Sequence, residues 1–172
     1  NPEFLTEANA ANDFEMQDRI ILGGYGEALR KCEEFFAHYF QNSKIILCSP
    51  TEAELVKYVT NTFLTTKVAY ANEIYNICKI LEVDFNNLST IFTLDKRLGE
   101  SHWSVPGPDG KYGYGGSCFP KDINALIYFA NSINVATPVL NTVWKRNIEI
   151  DRPEQDWKGL VGRAVSKKND KS

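Results

Sequence analysis

The sequence has no run approaching the ~20 consecutive apolar residues that a membrane-spanning helix needs, so it offers no candidate for one. Positive charge is in short supply. With 19 Lys and Arg against 22 Asp and Glu, the formal net charge is -3, which argues against non-specific nucleic-acid binding through a basic patch. Histidine is limited to His38 and His102. The four cysteines, Cys32, Cys48, Cys78 and Cys118, are scattered with no CxxC and no metal-ligand spacing. No metal is therefore expected, and the thiols read as those of a reduced, cytoplasmic protein, mostly buried. No internal repeat is visible, and only the tail "SKKNDKS" is low in complexity, as a frayed, charged terminus is. No signal peptide opens the chain, which does not begin with Met; the abrupt "NPEFLTEANA" is expected to continue from an upstream part.

What is present is ordinary for a globular protein: 172 residues, 43% hydrophobic and 24% charged. That length fits one domain, or a domain with an appendage, burying roughly two thirds of the surface of its unfolded chain. The run "RIILGG" (19–24) reads as a strand ending in glycines. "GEALRKCEEFFAHYF" follows with Leu29, Cys32, Phe35, Phe36 and Tyr39 at helical spacing. "SKIILCS" (43–49) reads as a second, buried strand, so this unit looks like the end of an open α/β sheet.

From residue 49 to 83 the chain has no Gly, and no Pro after Pro50. Ser49 suits an N-cap, Pro50 the first turn, and Glu52 and Glu54 the positive end of the helix dipole. Apolar residues recur at Leu55, Val59, Phe63, Ala69, Ile74, Ile77 and Leu81. One helix of about thirty residues is expected, ~45 Å long, the size of a domain spine or a subunit interface. "DFNNLSTIFTL" reads as a shorter helix capped by Asp84, 95–116 as a loop rich in Gly, Pro and Ser, and "PKDINALIYFANSIN" and "TPVLNTVWKRNIEID" as two further helices. The end, from residue 152, reads as irregular with Trp157 as its anchor. The fold class is mainly α with a small α/β part, divided as 1–49, 50–151 and a tail 152–172.

One stretch carries the chemistry. In "GYGGSCFPKD" (113–122) Pro120 is expected to open a helix, which places Cys118 at its N-terminus, where amides and the dipole favour a thiolate nucleophile. The glycines before it allow close backbone approach to a ligand. Asp122, four residues on, shares the first turn with the thiol and could steer water. A Gly-Gly turn leading into a helix with a buried Cys and a dipole-pairing Asp would satisfy the same local physics. Lys57 and Asn61, four apart on the long helix, share a face that could present a cation and an amide to an oxyanion, or be a solvated Lys and a surface Asn. Glu3 and Glu7 in "PEFLTE" would share a face if that stretch is helical, as paired carboxylates for general-base work or as exposed acids.

Taken together, "NPEFLTEANAANDF", "ELVKYVTNTFLTTKVAYANEI", "DKRLG" and "GYGGSCFPKD" stand in the order found in UDP-glucose 6-dehydrogenase and its nucleotide-sugar dehydrogenase relatives. The chain resembles that family from Asn1 to about Asp151, and "GGSCFPKD" is highly specific. The resemblance implies the C-terminal part of an NAD-binding Rossmann-type domain (1–49), then a central helical dimerisation domain built on the long helix (50–151). The fingerprint GxGxxG is absent from the chain, so on its own it is expected to be inactive.

The resemblance further implies two successive oxidations of a sugar alcohol to a carboxylate with two NAD. Cys118 is the implied nucleophile, capturing the aldehyde as a thiohemiacetal that is oxidised to a thioester. Lys57 and Asn61 stabilise oxyanions, Asp122 orients water or handles protons, and Glu3 is the base for thioester hydrolysis. Phe4, Leu5, Thr6 and Glu7 match a segment along substrate and cofactor, and Gly113, Tyr114 and Gly115 a loop over the sugar. Arg97 matches an arginine reaching the substrate of a partner subunit, which makes a homodimer part of the site, and Lys121 a cofactor contact. The chain departs from the pattern in "ESHWSVPGPDGKY", longer than in the animal enzymes and next to the sugar. That departure bears on which sugar is taken; the resemblance makes UDP-glucose the lead substrate, with UDP-N-acetyl-mannosamine and GDP-mannose behind it. An isolated dimerisation module without activity is the alternative from another class, and a degenerate regulatory homologue is disfavoured by the intact Cys118, Lys57, Asn61 and Asp122.

Overall fold

In the computed structural model residues 1–4 and 10–160 are described. The chain divides into two compact units, Asn1–Thr60 and Asn61–Ser172. In the first, a short helix α1 (Ala10–Glu15) precedes strand β1 (Arg19–Gly23), helix α2 (Gly26–Tyr39) and strand β2 (Lys44–Cys48). The strands pair in parallel, Arg19 opposite Lys44 through Gly23 opposite Cys48, and α2 is the crossover that a parallel pair requires. Ile20, Ile21 and Leu22 of β1 are buried.

β2 departs from expectation. It is not a buried strand: Ile46 is 36% and Leu47 40% exposed. Among the described residues the sheet has two strands, and its buried side chains lie on β1 and not on β2. Helix α2 likewise has no buried residue, its apolar spacing notwithstanding. The thiols are correspondingly not mostly buried: Cys78 is, Cys48 is half-buried, and Cys32 on α2 and Cys118 are exposed. Glu3 precedes the first helix and is exposed. Leu5, Thr6 and Glu7 lie outside the described residues, so the pairing of Glu3 with Glu7 on one helical face does too.

Helix α3 (Pro50–Ile80) runs for 31 residues without a break, roughly 46 Å. Its start is better built than dipole arguments require. The Glu52 amide donates to Ser49 Oγ at 3.2 Å and the Ser49 amide donates to Glu52 Oε2 at 2.8 Å, a reciprocal capping box. These bonds, the backbone one first, hold the Glu52 carboxyl below its ordinary range.

In the second unit α3 is the spine, with two apolar faces rather than one stripe. Ala71, Ile74, Tyr75 and Cys78 pack with Phe85 of α4 (Phe85–Phe92), Trp103 and Val105. Val68 and Ala69 pack with Tyr114, Ile123 of α5 (Cys118–Ser132) and Val143 of α6 (Pro138–Arg146). Ala69 and Ile74 therefore turn inward, whereas Leu55, Val59, Phe63, Tyr70, Ile77 and Leu81 form the exposed apolar row. Asp84 caps α4 as expected, accepting from the amides of Asn86 at 2.8 Å and Asn87 at 3.3 Å.

The last expected helix reaches Asp151, but its final turn is not an α turn. After α6 the chain widens into a π turn, Asn147–Asp151, closed by the Arg152 amide on Asn147 O at 2.8 Å. Trp157 is buried as an anchor, its ring 5.8 Å from that of Trp144. Among the described residues no helix is long and apolar enough to cross a membrane.

The capping box yields a test. Replacing Ser49 with Ala removes the side-chain acceptor and should cost about 1 kcal/mol, read as a lower urea midpoint near neutral pH. Because the Glu52 pKa is lowered in the folded chain, its share of stability is present above the unfolded carboxyl pKa of ~4.3 and lost as pH falls through the folded value. The difference between native chain and variant should therefore narrow at acidic pH; a difference that widens there contradicts the box.

Candidate active site

Cys118 is the first residue of α5, two positions earlier than a helix opened by Pro120 would begin. Pro120 sits third, still within the turn whose N–H groups have no intrahelical acceptor, so its missing donor costs nothing. The thiol is exposed, with Sγ 3.7 Å from Ser117 Oγ. One turn along, Asp122 is buried, 1% exposed. Its Oδ2 accepts from Asn61 Nδ2 of α3 at 2.5 Å and its Oδ1 from Lys121 Nζ at 2.6 Å. A buried carboxylate is tolerable only when so paired. The Lys121 side chain remains 45% exposed.

Asn61 and Asp122, 61 residues apart, are thus brought together. Lys57 lies one helical turn before Asn61 on α3 and is half-buried. Glu3 and Phe4 belong to the first unit, where the Arg19 guanidinium lies 5.1 Å from the centre of the Phe4 ring.

The loop running into Cys118 is held from below. Gly113 has φ +64°, and a Cβ there would collide with Asn147 Oδ1. The Gly113 amide donates to Asn72 Oδ1 at 3.2 Å and the Tyr114 amide to Asn147 Oδ1 at 2.8 Å, while Asn147 Nδ2 donates to Tyr114 O at 2.9 Å. The Tyr114 side chain is buried in the core, so the loop presents its backbone and not this ring. Burial first, and then the Asp151 charge, pushes the Tyr114 phenol well above its usual range. Gly115 lies on the guanidinium of Arg152, so close that a Cβ would strike Arg152 Cζ. Arg152 is itself buried and pairs with Asp109 at 2.7 Å and Asp156 at 2.7 Å.

Arg97 is exposed and its guanidinium forks onto Asp95, whose carboxyl these bonds hold below the usual range. The turn carrying Arg97 is pinned to α3 by the buried Lys67, whose Nζ donates to Leu98 O at 2.9 Å and sits 4.7 Å from the centre of the Trp103 ring. Trp103 Nε1 closes the same turn on Gly99 O at 2.8 Å. His102 packs against Phe119, centroids 5.7 Å apart, and burial with the Lys67 charge behind it keeps its imidazole below the usual value.

Asn72, Asn147, Arg152 and Lys67 escaped the reading of the sequence. A signal existed for the two asparagines: each interrupts a helical run on its core-facing side, in "YANEIY" and "KRNIEI", where only a bonded amide is tolerated.

A sequence signature described as "UDP-glucose/GDP-mannose dehydrogenase family, central domain" matches residues 51–149. The chain is 39% identical over 152 residues to the UDP-glucose 6-dehydrogenase of Pseudomonas aeruginosa, a match covering 86% of the chain and 32% of that relative. It is 36% identical over 152 residues to the GDP-mannose 6-dehydrogenase of Pseudomonas savastanoi pv. phaseolicola, covering 86% of the chain and 33% of the relative. Among solved structures, a UDP-glucose dehydrogenase from the hyperthermophilic archaeon Pyrobaculum islandicum superimposes with a TM-score of 0.75 at 36% identity, over 86% of this chain and 33% of that one. The chain spans about a third of the length of the curated relatives it matches.

The joint at Asp122 is open to direct measurement. Asp122→Ala takes the acceptor from the Asn61 amide at a buried position, and should cost about 2 kcal/mol or more in denaturant titrations. Asn61→Ala followed by Asp122→Ala should cost little beyond the first change, because the two share one interaction. Fully additive costs would show that the bond contributes nothing.

Proposed function

The chain belongs to the UDP-glucose/GDP-mannose dehydrogenase family, and on that footing we propose that it serves an enzyme oxidising the primary alcohol of a nucleotide sugar to a carboxylate, with UDP-glucose as the lead substrate. The observation that carries this reading is the first turn of α5: an exposed thiol at its first residue, one turn from a buried carboxylate that is tied to the amide of Asn61.

In this proposal Cys118 acts after the alcohol has become an aldehyde. Its sulfur adds to the aldehyde carbon, the carbonyl oxygen takes a proton, and a thiohemiacetal forms that keeps the carbon in place between the two oxidations. Loss of hydride from that carbon and of the proton from its hydroxyl leaves a thioester, and water then breaks the C–S bond to give carboxylate and free thiol. Glu3 is proposed to take the proton of that water, with Phe4, Leu5, Thr6 and Glu7 alongside substrate and cofactor.

Lys57 and Asn61 are proposed to face the oxygen that gains charge when sulfur or water adds. Asn61 has two N–H groups and spends one on Asp122, which leaves the other to offer to an oxyanion. Because Asp122 is buried and holds two donors, it acts here by aiming Asn61 more than by touching water.

NAD is the proposed hydride acceptor, and two NAD, one for each oxidation, would supply the oxidising power. The described residues make no cradle for it: Lys121 is the one proposed contact among them, already engaged by Asp122, and β1 leads into "GGYG" rather than GxGxxG.

The exposed row Leu55, Val59, Phe63, Tyr70, Ile77 and Leu81 supports a homodimer along α3, in which Arg97 would serve the partner's substrate. A cytoplasmic setting follows from a nucleotide-sugar substrate and reduced thiols. GDP-mannose is the second reading, favoured by the similarity to GDP-mannose 6-dehydrogenases.

The test is Cys118→Ser in the enzyme carrying this chain, assayed with UDP-glucose, UDP-N-acetyl-mannosamine and GDP-mannose. Serine keeps the shape but is a far poorer nucleophile. Alcohol oxidation should persist slowly, with aldehyde released or trapped, while acid formation falls at least 100-fold. Acid formed at a rate near the native one would remove Cys118 from the mechanism.

A further inference from the structure

We propose that Asn147 is a positioning residue for Cys118: its buried amide is a two-point clamp on the backbone of Tyr114 that fixes the height of the glycine loop running into the thiol. The significance of that loop rests on the function proposed above; the clamp itself rests on the contacts alone.

Asn147 is fully buried at the junction of α6 and the π turn. It donates from Nδ2 to Tyr114 O at 2.9 Å and accepts the Tyr114 N–H at Oδ1 at 2.8 Å. One side chain thereby satisfies both backbone groups of a buried loop residue, as a neighbouring strand would. The π turn, one residue wider than an α turn, is the kind of irregularity that gathers at functional sites.

Two neighbours complete the grip. Asn72 on α3 accepts the Gly113 N–H at 3.2 Å and is itself oriented by donating to Val68 O at 2.8 Å. Arg152 lies flat against Gly115. Three consecutive residues, 113 to 115, are therefore held by three buried side chains, just ahead of the exposed thiol. By contrast, the loop farther from Cys118 is tied by more exposed charges, Asp109 on Arg152 and Lys111 on Asp156. Packing alone would ask for an apolar residue at 147, which would leave the N–H and C=O of Tyr114 unsatisfied in the core. An amide that meets both is what a backbone held at one height needs.

The experiment has two arms. In the 172-residue chain, amide hydrogen exchange is compared between native and Asn147→Ala. The clamp predicts that Gly113 and Tyr114 exchange at least 10-fold faster while the amides of α5 keep their rates; unchanged rates at Tyr114 overturn it. In the enzyme carrying this chain, acid formation is measured for Asn147→Asp as a ratio to native across pH. A protonated carboxyl can keep both bonds and an ionised one loses the donor, so the ratio should fall as pH rises while the KM for NAD stays within twofold. The charged groups around the position are Arg146, Asp151 and Arg152 on its own segment, Glu73 on α3 and Asp109 on the loop, with the Tyr114 phenol behind. Faster exchange at Tyr114 with a flat ratio and native turnover makes Asn147 a packing residue and overturns the proposal. If Asn147→Ala speeds exchange throughout α5, Asn147→Asp at high pH replaces it as the deciding variant. Should the native enzyme oxidise no nucleotide sugar, the proposed function falls and the exchange arm alone judges the clamp.

Discussion

The contact on which the candidate site depends is the hydrogen bond between the Asn61 amide and the buried Asp122 carboxylate. It joins the middle of the long helix to the first turn of α5, and so determines where the residue one turn back, Cys118, comes to the surface. A carboxylate that is 1% exposed has no cheap alternative: solvent hardly reaches it, and among the described residues Asn61 and Lys121 are the donors it holds. That cost makes the arrangement specific. Sliding α5 by a residue would leave a charge unsatisfied, whereas an apolar contact at the same place would tolerate the slip.

Around this joint the second unit is built as a set of braces on α3. Lys67 and Trp103 pin the turn that carries Arg97, and Asn72 and Asn147 pin the glycine loop before Cys118. Each brace is a buried polar side chain bonded to loop backbone, which is how an irregular segment can lie against a core without orphaned N–H and C=O groups. The thiol that these braces present is exposed, while the groups that place it are not.

Much of this was legible in the letters. The absence of Gly and Pro after Pro50 announced α3 to within three residues of its end, and Asp84 announced the cap of α4. The specific string around Cys118 announced the family, which local physics alone left undecided. What was misread followed from tertiary context. A single apolar stripe was expected on α3, but the helix is a spine with neighbours on two sides, so Ala69 and Ile74 turned inward while Tyr70 joined the exposed row. β2 has the composition of a buried strand, yet burial belongs to the partner and not to the strand. The clamp asparagines show in the sequence only as polar interruptions of helical runs; what they hold did not, because their partners are backbone groups, 41 positions away for Asn72 and 33 for Asn147.

The central claim is that the carbon being oxidised is held on the sulfur at the start of α5. The most direct measurement is peptide mass spectrometry on the enzyme quenched in acid during turnover with UDP-glucose and NAD. The account predicts a sugar-nucleotide mass on the peptide containing Cys118, dependent on NAD and absent from the peptide containing Cys32, which is also exposed. Steady acid formation with an unmodified Cys118 peptide at every quench time, or with the adduct on another residue, would contradict it.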